Sequence, residues 1–260
     1  AKVSISLMSR YFRFFVPFVS NYRGDMVVQA IKIGNFKVDK FKNFSYLNAS
    51  DEKVLKMGIQ PFLVTTDTDS ILLDVGLGFL EGDEPIILKR LKEHEIDPSK
   101  ITKILLSHLH KDHTDGLGYF DGDVFVQNFP HAQIYIQKRE MDFALSLEDS
   151  PSYNYSLLQA ISVVENVVWL QENTGYITPE INYLVTGGHS PFHQVFWVRS
   201  SSEIIFYGAD NLPTRGYLKR HIAFKTDNDG HKAMEWRKSW EIQAKKENWK
   251  VLLYHDLKDP

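Results

Sequence analysis

Apolar and polar residues alternate through residues 27–46 and break at Gly34-Asn35, which predicts a hairpin turning at that pair. Phe62-Leu63-Val64-Thr65-Thr66 and Ile71-Leu72-Leu73-Asp74 flank the polar stretch Asp67-Thr68-Asp69-Ser70 and predict a second hairpin. Pro85 then opens a helix to about His94, because its ring presets helical φ and its missing N–H is not needed in a first turn. Ile86, Ile87, Leu91 and Ile96 are the expected buried positions of that helix. Ile104-Leu105-Leu106 and Ile134-Tyr135-Ile136 read as short buried strands, the latter followed by helices near 138–147 and 153–164. Strands near 182–186, 194–198 and 203–208 form a predicted meander. The charged, aromatic run 231–249 predicts an amphipathic helix with Trp236, Trp240 and Trp249 partly buried, ahead of the strand Val251-Leu252-Leu253-Tyr254. Two strand-rich halves, each with its own helices, imply an α/β chain in which two sheets pack between outer helices, as one domain over 1–260.

Composition narrows the chemistry. The chain has no cysteine, so disulfides, thiolate metal sites and cysteine nucleophiles are excluded together. A transition-metal site must then use imidazole and carboxylate, a donor set suited to zinc, manganese, iron or cobalt. The net charge of −3 and the lack of a basic stripe give no support to a nucleic-acid partner. No stretch is apolar for the roughly 18 residues a membrane span needs. The aromatic run Tyr11-Phe12-Arg13-Phe14-Phe15-Val16-Pro17-Phe18-Val19 is interrupted by Arg13, broken by Pro17 and followed by no small-residue cleavage site. It is expected to belong to an N-terminal extension over 1–25 that packs on the domain or on a second subunit, as in a homodimer, and the chain is expected in the cytoplasm.

The chemistry concentrates in Ser107-His108-Leu109-His110-Lys111-Asp112-His113. Three imidazoles and a carboxylate crowd the turn after a strand, where side chains can converge on one metal. With ten histidines in the whole chain, three within six positions is a poor fit to an accidental polar loop.

This segment resembles the HxHxDH motif of the metallo-β-lactamase superfamily, and further motifs follow in that family's order. Leu72-Leu73-Asp74-Val75-Gly76-Leu77-Gly78 looks like its first motif, and Thr186-Gly187-Gly188-His189-Ser190-Pro191-Phe192-His193 like its third. Tyr207-Gly208-Ala209-Asp210 resembles the strand that delivers a bridging aspartate, and Tyr254-His255-Asp256 the final histidine. The resemblance covers about 60–258 and implies a four-layer αβ/βα sandwich.

It also implies two divalent metal ions, with zinc expected first. His108, His110 and His189 would hold one; Asp112, His113 and His255 the other; Asp210 would bridge them. A hydroxide between the metals would attack a small-molecule substrate, with Asp112 carrying a proton to the leaving group. Asp74 would fix a ligand imidazole from behind, and His193 would orient the site or the substrate. His94, His131, His221 and His231 have no partner at ligand spacing and read as surface or structural residues, with His221 the one that could reach a pocket.

Within the superfamily, His110 argues against the flavodiiron proteins, which carry Glu there, and the absence of cysteine against the commonest zinc β-lactamases. Gly208-Ala209-Asp210-Asn211-Leu212-Pro213-Thr214 looks most like the branch with quorum-quenching lactonases and methyl parathion hydrolase. Pro213 stands where that branch places a Tyr, which leaves Tyr217 as a candidate phenol, and Phe192 replaces a glycine and is expected to narrow or reshape the loop over the metals. The expectation is a lactone or carboxylic ester hydrolase. Phosphotriester or phosphodiester hydrolysis is the alternative, and a non-catalytic metal-binding or sensing domain the alternative of another kind.

Overall fold

The computed structural model describes residues 24–258, so the aromatic run 11–19 and nearly all of the expected extension lie outside the described residues. The chain runs β1 (Val27–Ala30), β2 (Gly34–Val38), β3 (Phe44–Tyr46), β4 (Leu55–Ile59), β5 (Phe62–Thr65) and β6 (Ser70–Leu73). A ribbon of β7 (Leu80–Glu81) and β8 (Glu84–Pro85), helix α1 (Ile86–Glu93), β9 (Lys103–Leu105) and the one-turn helix α2 (Lys111–Thr114) follow. Then come the ribbon β10 (Gly118–Asp121) and β11 (Val124–Gln127), β12 (Gln133–Gln137), α3 (Lys138–Leu145), α4 (Tyr155–Ile161) and β13 (Val167–Leu170). The second half contributes β14 (Thr174–Tyr176), β15 (Ile181–Val185), β16 (Gln194–Arg199), β17 (Ile204–Tyr207), α5 (Arg215–Lys219), α6 (Gly230–Glu247) and β18 (Lys250–Leu252).

One sheet has the order β1-β5-β6-β9-β12-β13 and a second the order β14-β15-β16-β17-β18. Alternation sorts the second sheet into two faces. Phe196, Val198, Ile205 and Tyr207 join a core with the first sheet and with Ile87, Leu91, Met141, Leu158 and Ile161 of its helices. Val195, Trp197 and Phe206 face the other way and pack with Trp236 and Trp240 of α6. Helices, sheet, sheet and helix thus form the expected four layers.

The predicted hairpin 62–74 forms in register, Phe62 opposite Leu73 and Thr65 opposite Ser70, and β15, β16 and β17 form the predicted antiparallel meander. The hairpin over 27–46 is corrected. Gly34 and Asn35 lie inside β2, opposite Ile59 and Gly58 of β4, while β1 pairs with β5. The turn falls instead at Asp39–Asn43, where the Asp39 carboxylate accepts from the backbone N–H of Phe41 (2.8 Å) and Asn43 (2.9 Å). An aspartate that satisfies its own turn outweighs a Gly-Asn pair that a neighbouring strand can claim. Trp249 lies beyond α6, past the left-handed cap Asn248, and the three tryptophans are buried outright at 6%, 1% and 9% exposure. Pro85 caps α1 from outside its first turn.

Candidate metal centre

Each ligand candidate follows the end of a strand. Asp74 follows β6 and Ser107–His113 follow β9, which runs parallel to β6. His189 follows β15, Asp210 follows β17, and His255 follows β18, which runs parallel to β17. Loops at one end of co-directional strands can meet, and across the two sheets they do. Gln194 bridges them by donating to Ser107 O (2.9 Å) and Leu106 O (2.8 Å).

The seven predicted ligands come together. Nε2 of His108 lies 3.0 Å from Nδ1 of His110, which lies 3.1 Å from Nε2 of His189. Asp210 turns its two oxygens to different sets. Oδ2 faces His189 Nε2 at 3.2 Å, while Oδ1 faces His255 Nε2 at 3.0 Å and His113 Nε2 at 3.2 Å. Asp112 Oδ2 lies 3.5 Å from His255 Nε2 and 3.8 Å from His113 Nε2. His108, His110 and His189 form one metal-sized group, Asp112, His113 and His255 another, and His108, His113 and Asp210 a third between them.

The donor set fits metal cations. The outer ring nitrogens of four imidazoles each have an acceptor: Ser107 Oγ for His108 (3.0 Å), Asp74 for His113 (2.7 Å), Asp227 for His189 (2.9 Å) and Gly58 O for His255 (2.7 Å). Protons on those nitrogens leave the Nε2 lone pairs converging on the centre. His113 Nε2, His255 Nε2 and Asp210 Oδ1 are buried without a hydrogen-bond partner among the described residues, a costly state that a cation removes. Burial, then the neighbouring imidazoles, hold His108 and His110 well below the usual histidine range, in the neutral form a metal requires. Burial disfavours charge on Asp210 too, but His255, His113 and His189 outweigh it and keep the carboxyl well below its ordinary value.

Asp74 lies behind the centre, fully buried. It accepts from Ser107 N (2.7 Å), Ser107 Oγ (2.7 Å), His113 Nδ1 (2.7 Å) and Tyr207 OH (2.5 Å). His193 is also buried. Its ring centroid is 5.1 Å from that of His108, and Asn211 Nδ2 donates to its Nδ1 at 3.3 Å. His193, like His108 itself, is not among the residues that line the cavity opening on the metal groups. Tyr217 does line that cavity, stacked on Phe224 with centroids 4.3 Å apart, and burial raises its phenol to about 12. Phe192 is not part of the lining, although its neighbours Ser190 and Pro191 are, and its ring lies 5.0 Å from the Arg139 guanidinium. His94, His131 and His231 are exposed, and His221 pairs with Glu241 at 2.9 Å away from the cavity.

Several supporting residues were not foreseen. Glu140 is buried, accepts from Phe192 N at 3.0 Å and is pushed up to about 7 by desolvation. Tyr153 lies 5.0 Å from the His110 ring. Asn211 accepts from His189 N at 2.9 Å and donates to Gly187 O at 2.6 Å. Only Asn211, next to Asp210, carried a local signal, since the others reach the centre from distant elements.

Comparison with known proteins agrees with the geometry. An N-acyl homoserine lactonase of Bacillus thuringiensis is 25% identical over 232 residues, covering 79% of this chain and 84% of its own. The structure of AidC, a dizinc quorum-quenching lactonase in complex with a product, matches with a TM-score of 0.69 at 23% identity, covering 92% of this chain and 91% of its own. An N-acyl homoserine lactone hydrolase with product bound at its catalytic metal center matches with a TM-score of 0.66 at 24% identity, over 91% and 94% of the two chains. No helix of the described residues is long and apolar enough to cross a membrane. The family model of the metallo-beta-lactamase superfamily matches residues 58–255: the chain belongs to that superfamily and is a metal-dependent hydrolase.

Proposed function

We propose that this hydrolase is dinuclear and cleaves a lactone or carboxylic ester. His108, His110 and His189 would hold one zinc ion, Asp112, His113 and His255 would hold the second, and Asp210 would be shared by the two sets. The observation that carries this reading is Asp210, whose two carboxylate oxygens face separate sets of imidazole nitrogens at 3.0–3.2 Å. Two divalent cations in such a centre supply a Lewis acid and a water of lowered pKa.

The chain's own groups do the rest. Asp112 lines the cavity beside His255, where its Oδ2 takes the proton given up by the attacking water and passes it to the departing alkoxide. Tyr217, kept protonated by burial, donates a hydrogen bond to the substrate carbonyl. His193 supports His108 from behind. The cavity measures about 820 Å³, and Val38, Phe44, Leu55 and Met57 give it an apolar wall for an acyl or aryl group. The lactonase relative supports a lactone or ester over a phosphate ester.

The test is metal content of the purified chain, run beside hydrolysis of a γ-lactone, an aryl ester, a phosphotriester and a phosphodiester. Two zinc ions per chain with chelator-sensitive lactone or ester turnover is the expected result. Turnover of the phosphate esters alone would reverse the substrate order, and two metals with no turnover of any would favour a sensing domain.

A further inference from the structure

We propose that Asp227 is a positioning residue for the metal centre, fixing the tautomer and aim of His189 and thereby how tightly the His108, His110 and His189 set holds its cation. The inference deepens the function proposed above and rests on it through the assignment of His189 as a ligand. A neutral imidazole has one N–H. For His189 Nε2 to present a lone pair beside His110 Nδ1 (3.1 Å) and Asp210 Oδ2 (3.2 Å), the proton must be on Nδ1. Asp227 Oδ1 stands 2.9 Å from that Nδ1, and an ionised carboxylate can only accept. Its side chain is 7% exposed, and its other oxygen is buried with no hydrogen-bond partner among the described residues. The directional bonding of this carboxylate is thus given to His189.

The backbone around Asp227 is held by other groups. Asn228 N donates to His189 O (3.1 Å) and Asp229 N to Gly188 O (2.8 Å). The Asp229 carboxylate caps α6 by accepting from Lys232 N at 3.0 Å. Arg237, buried on α6, donates to Ile222 O (2.6 Å) and to Asn211 O (2.9 Å), tying this segment to the loop of Asp210. Removing the Asp227 carboxylate therefore leaves the segment in place and frees only the ring.

The experiment titrates zinc into the metal-free full chain against a fluorescent chelator, for wild type, Asp227→Ala and Asp227→Asn. Removal of a group that orients a ligand imidazole weakens metal binding about 10- to 100-fold. Asp227→Ala should show that loss for one zinc ion of the two, with the metal-free melting temperature unchanged. Asp227→Asn, whose amide carbonyl still accepts from Nδ1, should fall between. Nitrogen-15 spectra of the histidine rings should show the Nδ1–H tautomer of His189 in wild type and a mixture in Asp227→Ala. Equal zinc affinities in wild type and Asp227→Ala would overturn the inference alone, as would a weakening that merely follows a destabilised metal-free fold. Two tightly bound zinc ions without lactone or ester turnover would overturn the substrate reading alone.

Discussion

Replacing Asp74 by Asn changes no volume and removes one charge, so its effect isolates what the carboxylate does. Oδ1 accepts from Ser107 N, and Oδ2 accepts from Ser107 Oγ, His113 Nδ1 and Tyr207 OH. An amide can serve one side only. With its carbonyl toward the three donors, its NH2 meets the Ser107 N–H, leaving a buried donor unsatisfied at about 1–3 kcal/mol. The three remaining bonds fall from charge-assisted to neutral strength, a loss of roughly 1 kcal/mol each. Together these give about 5 kcal/mol of destabilisation, a large share of the roughly 5–15 kcal/mol a domain has. The reverse rotamer is worse, since it opposes NH2 to three donors and drives the His113 proton to Nε2, where it blocks metal binding. Urea unfolding of the metal-free Asp74→Asn chain measures the first effect, and zinc competition measures the second, expected to weaken about 10- to 100-fold. Stability within 1 kcal/mol of wild type together with unchanged zinc affinity, against about 5 kcal/mol expected, would refute the reasoning.

Asp210→Ala removes the group between the two sets, so metal analysis should find about one ion fewer per chain and turnover should fall at least about 100-fold. Tyr217→Phe keeps the stack on Phe224 and loses the phenol, and should lower kcat about 100-fold with little change in melting temperature, as expected for one lost donor to the developing oxyanion. Gly58→Ala places a Cβ 2.3 Å from Asp256 O. Because Gly58 O also accepts from His255 Nδ1 at 2.7 Å, zinc binding at the second set should weaken along with stability, read by competition and melting. Removing metal with a chelator should lower the melting temperature of wild type, because a cation bound only by the folded state stabilises it by mass action. An identical melting curve with and without chelator would count against a resident metal.

The pattern of apolar and polar residues was enough to place the meander of β15, β16 and β17, the hairpin of β5 and β6 and the helices α3, α4 and α6, and Pro85 marked the start of α1. Four of the seven ligand candidates were also legible, because His108, His110, Asp112 and His113 fall within six residues and a single turn. His189, Asp210 and His255 could be placed only by the motifs around them. The structure alone shows that all seven converge, since β6 and β9 in one sheet and β17 and β18 in the other end at the same place. What left no trace in the pattern was support across long separations. Asp227 stands 38 residues from His189 and the backbone of Gly58 stands 197 residues from His255, yet each holds the outer nitrogen of a ring. Periodicity records which face of an element is buried. It cannot record which carbonyl or carboxylate from another element meets a given nitrogen, because that contact depends on the packing of layers. The turn at Asp39–Asn43 follows the same logic: Gly34-Asn35 had the local preference for a turn, and pairing with β4 overrode it.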